Sequence, residues 1–342
     1  MADTLSEFEY DSSPARAGIA VIGAGRMGRG IALSFTYAGY TVSLIDSEDR
    51  SAGDFNNLVA SVHDEFQTEL QLLQDIDVIS AQQSAAIARR LDILAKNACL
   101  ERLAQADFIF EAVAEVLEIK ESTYTWLNSC ISDQAIVAST TSTMLPDTLA
   151  NFVRKQDRFL NAHWLNPAHL MPLIEISSAE KTAEATVSAV KALLAGIGKV
   201  PVVCAASPGY IVSRIQALAL NEAARLVEEG VASAEDIDNA VRTGFGIRYA
   251  ILGLLEFVDW GGGDILYYGS NYLAEHIDRQ RFSPPEIVLR NMENNRKGLR
   301  DGVGFYDYRD RDMNAYRRGR LTAFINLLQH LGLMPQASGN SD

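Results

Sequence analysis

The stretch that most constrains the fold runs from Ala17 to Arg50, AGIAVIGAGRMGRGIALSFTYAGYTVSLIDSEDR. IAVI is an apolar run of strand length. A Gly-rich turn follows, and Ile31, Ala32, Phe35 and Ala38 then recur at helical spacing until Gly39 stops them. TVSLID reads as a second strand. Strand, glycine turn, helix and strand in so short a segment make a β-α-β unit, whose two strands run parallel. The turn itself, Gly23-Ala24-Gly25-Arg26-Met27-Gly28, has the spacing G-x-G-x-x-G. The first glycine makes the turn, the second lets backbone approach a pyrophosphate, and the third lets helix and strand pack closely. The helix N-terminus supplies amide donors and a positive dipole end to phosphates. Asp46 closes the second strand, where a carboxylate accepts from a ribose 2′-hydroxyl and repels a 2′-phosphate; Glu48 and Asp49 add to that repulsion and only Arg50 opposes it. The segment predicts an NAD site rather than an NADP site.

The same alternation continues. Residues 54–90 read as long helices, 106–113 as a buried strand, Leu117–Cys130 as a helix and 135–140 as a strand; RFLNAHW and MPLIEI are two more strands. Strands and helices in alternation predict a Rossmann-type doubly wound α/β domain with the cofactor across the carboxyl ends of the strands. At Ser207-Pro208-Gly209 the character changes. From there the patterns are helical, at 209–229, 233–242, 250–258, 262–277 and 284–295, with a last amphipathic helix on Leu321, Phe324, Ile325, Leu328 and Leu331. A chain of 342 residues exceeds what one core comfortably fills. The expected organisation is a loose extension at 1–16, an NAD domain at 17–206, an all-α domain at 207–334 and a loose tail at 335–342.

A net charge of −14 argues against a nucleic-acid or anionic-membrane surface as partner, and no apolar run has the length of a membrane span. The acidic, Ser-rich start MADTLSEFEYDSSPARAG is the opposite of a targeting peptide. Cys99, Cys130 and Cys204 stand singly, with neither disulfide nor metal spacing, so no metal is expected and a reducing cytoplasm fits.

Within NAHWLNPAHLMPLIEI, His163 and Glu175 sit in strand-like surroundings where neither is easily buried alone. Downstream of a dinucleotide site the pair has a chemical use. Oxidising a secondary alcohol needs a base for the hydroxyl proton, imidazole serves best near neutrality, and a carboxylate on its far nitrogen fixes the tautomer. Ser142, in STTSTM after the strand ending near Thr140, falls at the carboxyl edge where the nicotinamide belongs, and its hydroxyl can hold the substrate oxygen.

Taken together these motifs resemble the L-3-hydroxyacyl-CoA dehydrogenase family over roughly residues 17–308. GAGRMGRGIA looks like the family's nucleotide loop, FEAVAEVLEIK like its E-A-(V/I)-x-E-x-x-x-x-K segment, STTSTM like its S-N-T-S-S loop, and HWLNP…LIE like its H-F-x-N-P…x-V-E. The resemblance implies His163 as base, Glu175 as its orienting acid, and Ser142 between substrate and nicotinamide. It further implies Asn166 near the nicotinamide, Glu115 and Lys120 at the cofactor ribose and its surroundings, and Arg300, in GLRDGVGFYDY, reaching the cofactor. It also implies a homodimer through the helical domain. Ser213, in GYIVSR, and Thr140 stand where the family has asparagines, the first of which helps bind substrate. No Lys or Arg lies between Arg50 and Arg89, whereas Asp54, Asp64, Glu65 and Glu69 do, so the basic residues that meet CoA phosphates are missing. GFGIRYAILG (244–253) is closer to the relatives that oxidise free hydroxy acids, gulonate dehydrogenase (lambda-crystallin) and carnitine dehydrogenase, and Arg248 would then meet a substrate carboxylate.

The expected activity is reversible, NAD-dependent oxidation of the 3-hydroxyl of a short 3-hydroxyacyl-CoA, as in fatty acid metabolism. The alternative is a free hydroxy acid, and a non-catalytic NAD-binding structural protein comes third. His169 is expected at a pocket rim, His63 and His276 on helix surfaces, and WGGGDILYYGSNYL (260–273) in the core.

Overall fold

The computed structural model describes residues 17–335; the expected loose segments at 1–16 and, but for Pro335, at 335–342 lie outside the described residues. Eight strands form one sheet in the order β3-β2-β1-β4-β5-β6-β7-β8. They are β1 (Ile19–Ile22), β2 (Val42–Asp46), β3 (Leu91–Ala95), β4 (Phe108–Glu111), β5 (Ile136–Ser139), β6 (Phe159–Trp164), β7 (Leu173–Ser178) and β8 (Val200–Cys204). The first six pair in parallel and follow the doubly wound order 3-2-1-4-5-6. β7 runs antiparallel to β6 and parallel to β8.

The inner strands are apolar along their length because helices cover both faces, as parallel sheets require. On one face the helix α1 (Arg26–Tyr37) buries Ile31, Ala32, Leu33 and Phe35, and Phe35 meets Phe110, Trp164 and Tyr40 in an aromatic cluster. α2 (Ala52–Asp75) adds Val62, Phe66 and Leu70, and its N-cap Ser51 accepts the amide of Asp54. On the other face Tyr124, Leu127, Leu149 and Phe159 form a second core.

Two strands were not evident in the sequence. β3 follows α3 (Ala81–Ala88) at one edge of the sheet and β8 lies at the other. Edge strands are covered incompletely, so LDILA can carry Asp92, and VPVVC carries Pro201, which an edge strand tolerates but which argues against a strand in the sequence.

The chain divides into two compact units between Ala219 and Leu220, later than the change in pattern at Ser207-Pro208-Gly209. The physical reason is that the first turn of the helix Val212–Glu228 is bonded into the sheet unit, as described below. The second unit is helical, with Ala234–Ala240, Leu254–Gly261, Gly263–His276, Glu286–Glu293 and Met313–His330 as principal helices. The expected continuous helix at 250–258 is broken at Leu252-Gly253. Asp259 is the polar centre of this unit. Its carboxylate accepts the amides of Phe305 and Tyr306 and the Tyr308 hydroxyl, fixing the loop that begins at Gly298. WGGGDILYYGSNYL is not core here: Ile265, Tyr268 and Tyr272 are about two-thirds exposed.

The glycine turn shows why its spacing is strict. A Cβ on Gly28 would lie 1.9 Å from the Gly23 carbonyl oxygen, whereas one on Gly25 would meet nothing within 4 Å. Gly28→Ala is therefore expected to destabilise the protein by about 1–3 kcal/mol, the usual range for overpacking, while Gly25→Ala leaves the melting temperature unchanged. Thermal unfolding of the two variants side by side checks this.

Candidate active site

The crossover between β1 and β4 leaves a crevice at the carboxyl ends of the strands, the place where open α/β sheets bind ligands. A cleft of about 730 Å3 opens there, lined by Gly23 to Met27, Asp46, Glu48, Arg50, Ala112 to Ala114 and Trp126 among others. The open space over Gly25 and the α1 amides suit a pyrophosphate. Gly28 lies beneath this surface as packing. Asp46 is almost fully buried; its Oδ2 accepts from Arg50 Nε at 2.8 Å, and Arg50 also pairs with Glu48. Arg50 is thus neutralised by the acids around it, and Lys96, which also lines the cleft, lies 3.7 Å from the Asp49 carboxylate. These residues fit a dinucleotide whose ribose carries a free 2′-hydroxyl.

Behind the cleft lies a buried network that the sequence did not reveal. Glu111, at the end of β4, accepts from Lys120 Nζ at 2.8 and 3.0 Å, Tyr124 Oη at 2.5 Å, Ser139 Oγ at 2.7 Å and the Val113 amide at 3.0 Å. Burial and the Glu111 charge hold the Tyr124 phenol well above its usual range, so it stays a donor. Lys120 was expected at the cofactor ribose. It is fully buried, with its ammonium on Glu111, because the helix Leu117–Cys130 turns that side chain inward to the sheet.

Glu115 organises the next loop rather than standing free at a ribose. Its Oε1 accepts from the Thr141 hydroxyl, the Ser142 and Thr143 amides at 3.1 Å and the Thr143 hydroxyl at 2.9 Å, while Lys120 lies 3.5 Å from Oε2. Burial alone would push the Glu115 carboxyl up. The hydrogen bonds from Thr141 and Thr143 and the Lys120 charge outweigh it and hold the carboxyl below its usual range. Ser142 stays exposed on this anchored loop.

His163 and Glu175 are directly opposite in the β6–β7 register. His163 Nδ1 lies 2.9 Å from Glu175 Oε2, and both side chains are buried. A carboxylate can only accept, so Nδ1 carries the proton and Nε2 keeps its lone pair. The other oxygen, Oε1, accepts the amides of Ile211 and Val212, each at 2.9 Å, at the start of the helix Val212–Glu228. Successive amides aimed at one anion form a nest, and the helix dipole adds to it. The turn into this helix has Gly209 at φ +74° and Tyr210 at φ +48°. A non-glycine residue held there costs roughly 1–3 kcal/mol, and the donors it aims at Glu175 offset that. Tyr210 stacks on the His163 ring with centroids 4.9 Å apart.

Asn166 and His169 lie after β6 and line a smaller cavity of about 170 Å3 with Arg26, Arg29, Glu65 and Glu69. Glu65 pairs with Arg29 at 2.6 Å and Glu69 with His169 at 3.2 Å. Ser213 occupies the first turn of the helix that holds Glu175. Arg248 and Arg300 belong to the second unit: Arg248 lies over the Phe257 ring at 5.4 Å, and Arg300 pairs with Asp264 at 2.9 Å. His63 and His276 are exposed.

Lys199 was also missed. Its buried ammonium donates to the carbonyls of Ala168 at 2.7 Å, Met171 at 2.9 Å and His169 at 3.2 Å, pinning the loop after His163. Burial lowers its pKa from 10.5 to about 8. Between those values the unfolded chain binds more protons than the folded one, so this residue adds stability as pH rises. Lys199→Met takes this donor from the carbonyls of His169 and Met171 and leaves that of Ala168 only the Ser34 hydroxyl at 3.3 Å, and it is expected to cost about 1–3 kcal/mol at pH 7. The wild-type advantage should grow as pH rises from about 8 toward 10.5; urea unfolding of both proteins across that range measures it.

Comparisons with known proteins agree with this geometry. Sequence models of 3-hydroxyacyl-CoA dehydrogenase match residues 18–207 (NAD binding domain) and 209–308 (C-terminal domain). The chain is 29% identical to 5-formyl-3-hydroxy-2-methylpyridine 4-carboxylate 5-dehydrogenase of Mesorhizobium japonicum, covering 91% of this chain and 98% of that one. It is 32% identical to a lambda-crystallin homolog of Rattus norvegicus, covering 82% and 87%. The crystal structure of a 3-hydroxyacyl-CoA dehydrogenase from Archaeoglobus fulgidus superposes with a TM-score of 0.72 at 31% identity, covering 92% and 99%. A glycine turn built for NAD, a buried His–Glu pair on adjacent strands and matches to both domain models lead to one conclusion: this chain belongs to the 3-hydroxyacyl-CoA dehydrogenase family and is an NAD-dependent dehydrogenase acting on a hydroxyl group.

Proposed function

We propose that the protein oxidises the 3-hydroxyl of a short 3-hydroxyacyl-CoA reversibly, with His163 as the base. The observation that carries this reading is the His163–Glu175 pair, buried and opposed in register, with one imidazole nitrogen committed to the carboxylate. NAD bound in the cleft supplies the hydride acceptor. His163 Nε2 takes the hydroxyl proton as hydride leaves carbon and returns it in the reverse direction. Glu175 stabilises the imidazolium that forms, and its two backbone donors keep it from turning away. Ser142 binds the substrate oxygen in this reading; its exposure on a loop that Glu115 holds supports the role. Gly23, Ala24, Gly25, Arg26, Met27 and Asp46 hold the dinucleotide; Asn166 and Arg300 complete the cofactor contacts, and Ser213 helps bind substrate.

A free hydroxy acid is the second reading, and one observation favours it. The helix α2 carries no Lys or Arg to meet CoA phosphates, and at the cavity beside Asn166 it offers Glu65 and Glu69, which engage Arg29 and His169. Arg248 is then the partner of the substrate carboxylate. The Mesorhizobium relative is named for a pyridine carboxylate, an acid without CoA. A panel of 3-hydroxybutyryl-CoA, its pantetheine ester, free 3-hydroxybutyrate, gulonate and carnitine, followed by NADH absorbance, separates the readings.

We also infer a cytoplasmic homodimer. Among the described residues no helix is long and apolar enough to cross a membrane. In the helical unit Leu220, Ile265, Tyr268 and Tyr272 are all more than 60% exposed, apolar surface that a second copy would cover.

His163→Ala is expected to lower kcat by roughly 10²–10⁴-fold, the range for a lost acid–base group, with NAD affinity unchanged; Glu175→Gln should cost less. Turnover close to that of the unaltered enzyme would mean the base is elsewhere. Asp46→Ala releases Arg50 and is expected to raise KM for NAD while lowering it for NADP. An unaltered enzyme that already prefers NADP would contradict the role given to Asp46.

A further inference from the structure

We propose that Tyr210 is a positioning residue that sets the plane of the His163 ring and ties it, through its hydroxyl, to the loop carrying Ser142. The inference rests on His163 being the base. Tyr210 lies almost flat on the imidazole, with 15° between the planes. Its hydroxyl donates to the Thr141 carbonyl at 2.9 Å and accepts from Asn161 Nδ2 at 3.0 Å. Burial holds that phenol above its usual range, so it stays protonated and the donor direction is fixed. Thr141 is itself anchored to Glu115 through its side-chain hydroxyl, and Ser142 is the next residue.

Asn161 shares the β6 face with His163, two residues away. Its amide nitrogen also donates to the Met144 carbonyl at 2.9 Å, so both N–H groups have acceptors. The orientation is unambiguous, because turning the amide over would set Oδ1 against that carbonyl. Oδ1 has no hydrogen-bond partner among the described residues although it is buried. An unpaired buried oxygen is unfavourable, and it is tolerated where the same amide fixes the tyrosine.

Tyr210 also immediately precedes the two amides that hold Glu175. One residue therefore touches the base, sits next in sequence to the donors of its orienting acid, and anchors the loop of its hydroxyl-bearing partner. A ring stacked with its centroid 4.9 Å away restricts rotation of the imidazole about its Cβ–Cγ bond, adding to the single bond to Glu175. Keeping Nε2 aimed at one point is the kind of orientation whose loss costs turnover while cofactor affinity stays intact.

Tyr210→Phe and Tyr210→Leu, each made alone and with His163→Ala, test the proposal, with 3-hydroxybutyryl-CoA and free 3-hydroxybutyrate as probes. Tyr210→Leu is expected to lower kcat by about 10–100-fold with KM for NAD unchanged. Tyr210→Phe keeps the ring and should lose only about 2–10-fold, the effect of a neutral hydrogen bond. In the His163→Ala background Tyr210→Leu should change kcat by less than about two-fold, because residues that act as a unit are not additive. A second readout needs neither cofactor nor substrate: the rate at which diethyl pyrocarbonate modifies His163 in the free protein, relative to exposed His63. It should rise in Tyr210→Leu and not in Tyr210→Phe. Equal kcat losses in both backgrounds, or a lower melting temperature with unchanged modification, would overturn the inference and leave Tyr210 a packing residue. Full turnover by His163→Ala would overturn the assignment of the base and this inference with it, whereas an inactive His163→Ala beside a fully active Tyr210→Leu overturns the inference alone.

Discussion

A carboxylate inside a sheet must be given donors, and this fold is arranged around two that are. Glu175 and Glu111 are both fully buried, each at a strand position facing the carboxyl edge of the parallel sheet. Removing one partner of a buried pair typically costs about 3–5 kcal/mol, so each carboxylate dictates its surroundings. For Glu175 the donors are an imidazole across the strand pair and the amides of Ile211 and Val212, and these requirements set the β6–β7 register and the entry into the helix Val212–Glu228. A slip of one residue would put Glu175 on the opposite face and leave His163 beside an apolar neighbour. For Glu111 the donors are Lys120, Tyr124 and Ser139, which lock the floor of the dinucleotide crevice.

The parts legible in the sequence are those where local pattern and chemistry coincide. G-x-G-x-x-G between a strand and a helix is a local pattern, and the cleft lies over it. His163 and Glu175 stood out because neither belongs in an apolar strand without a reason. The register that joins them is not local, but two strands linked by a short loop have few ways to pair. What remained hidden was of three kinds. The edge strands β3 and β8 are incompletely covered, and Asp92 in the one and Pro201 in the other obscure the strand signal. The Glu111 network draws on residues up to 28 positions apart, each with an ordinary reading by itself. Depth was the third: a motif gives Lys120 a place along the chain, but only the rotation of its helix decides that the ammonium faces Glu111 rather than the cleft.

Neighbouring residues carry opposite duties throughout the site. Thr141 is buried and bonded to Glu115, while Ser142 beside it is exposed. Asn161 is buried and fixed, while His163 two residues on shares its face and presents a free nitrogen. In each case an anchor adjoins a group that meets the substrate in the proposed reaction. The anchor removes conformational freedom before any substrate arrives, and the orientation of the reacting group then need not be achieved at the moment of reaction. A dehydrogenase of this kind has little covalent chemistry of its own to perform. In the reaction proposed above, its contribution is to hold one proton acceptor and one hydroxyl donor still beside a bound nicotinamide: the buried Glu175 holds the first, and Glu115 holds the loop that carries the second.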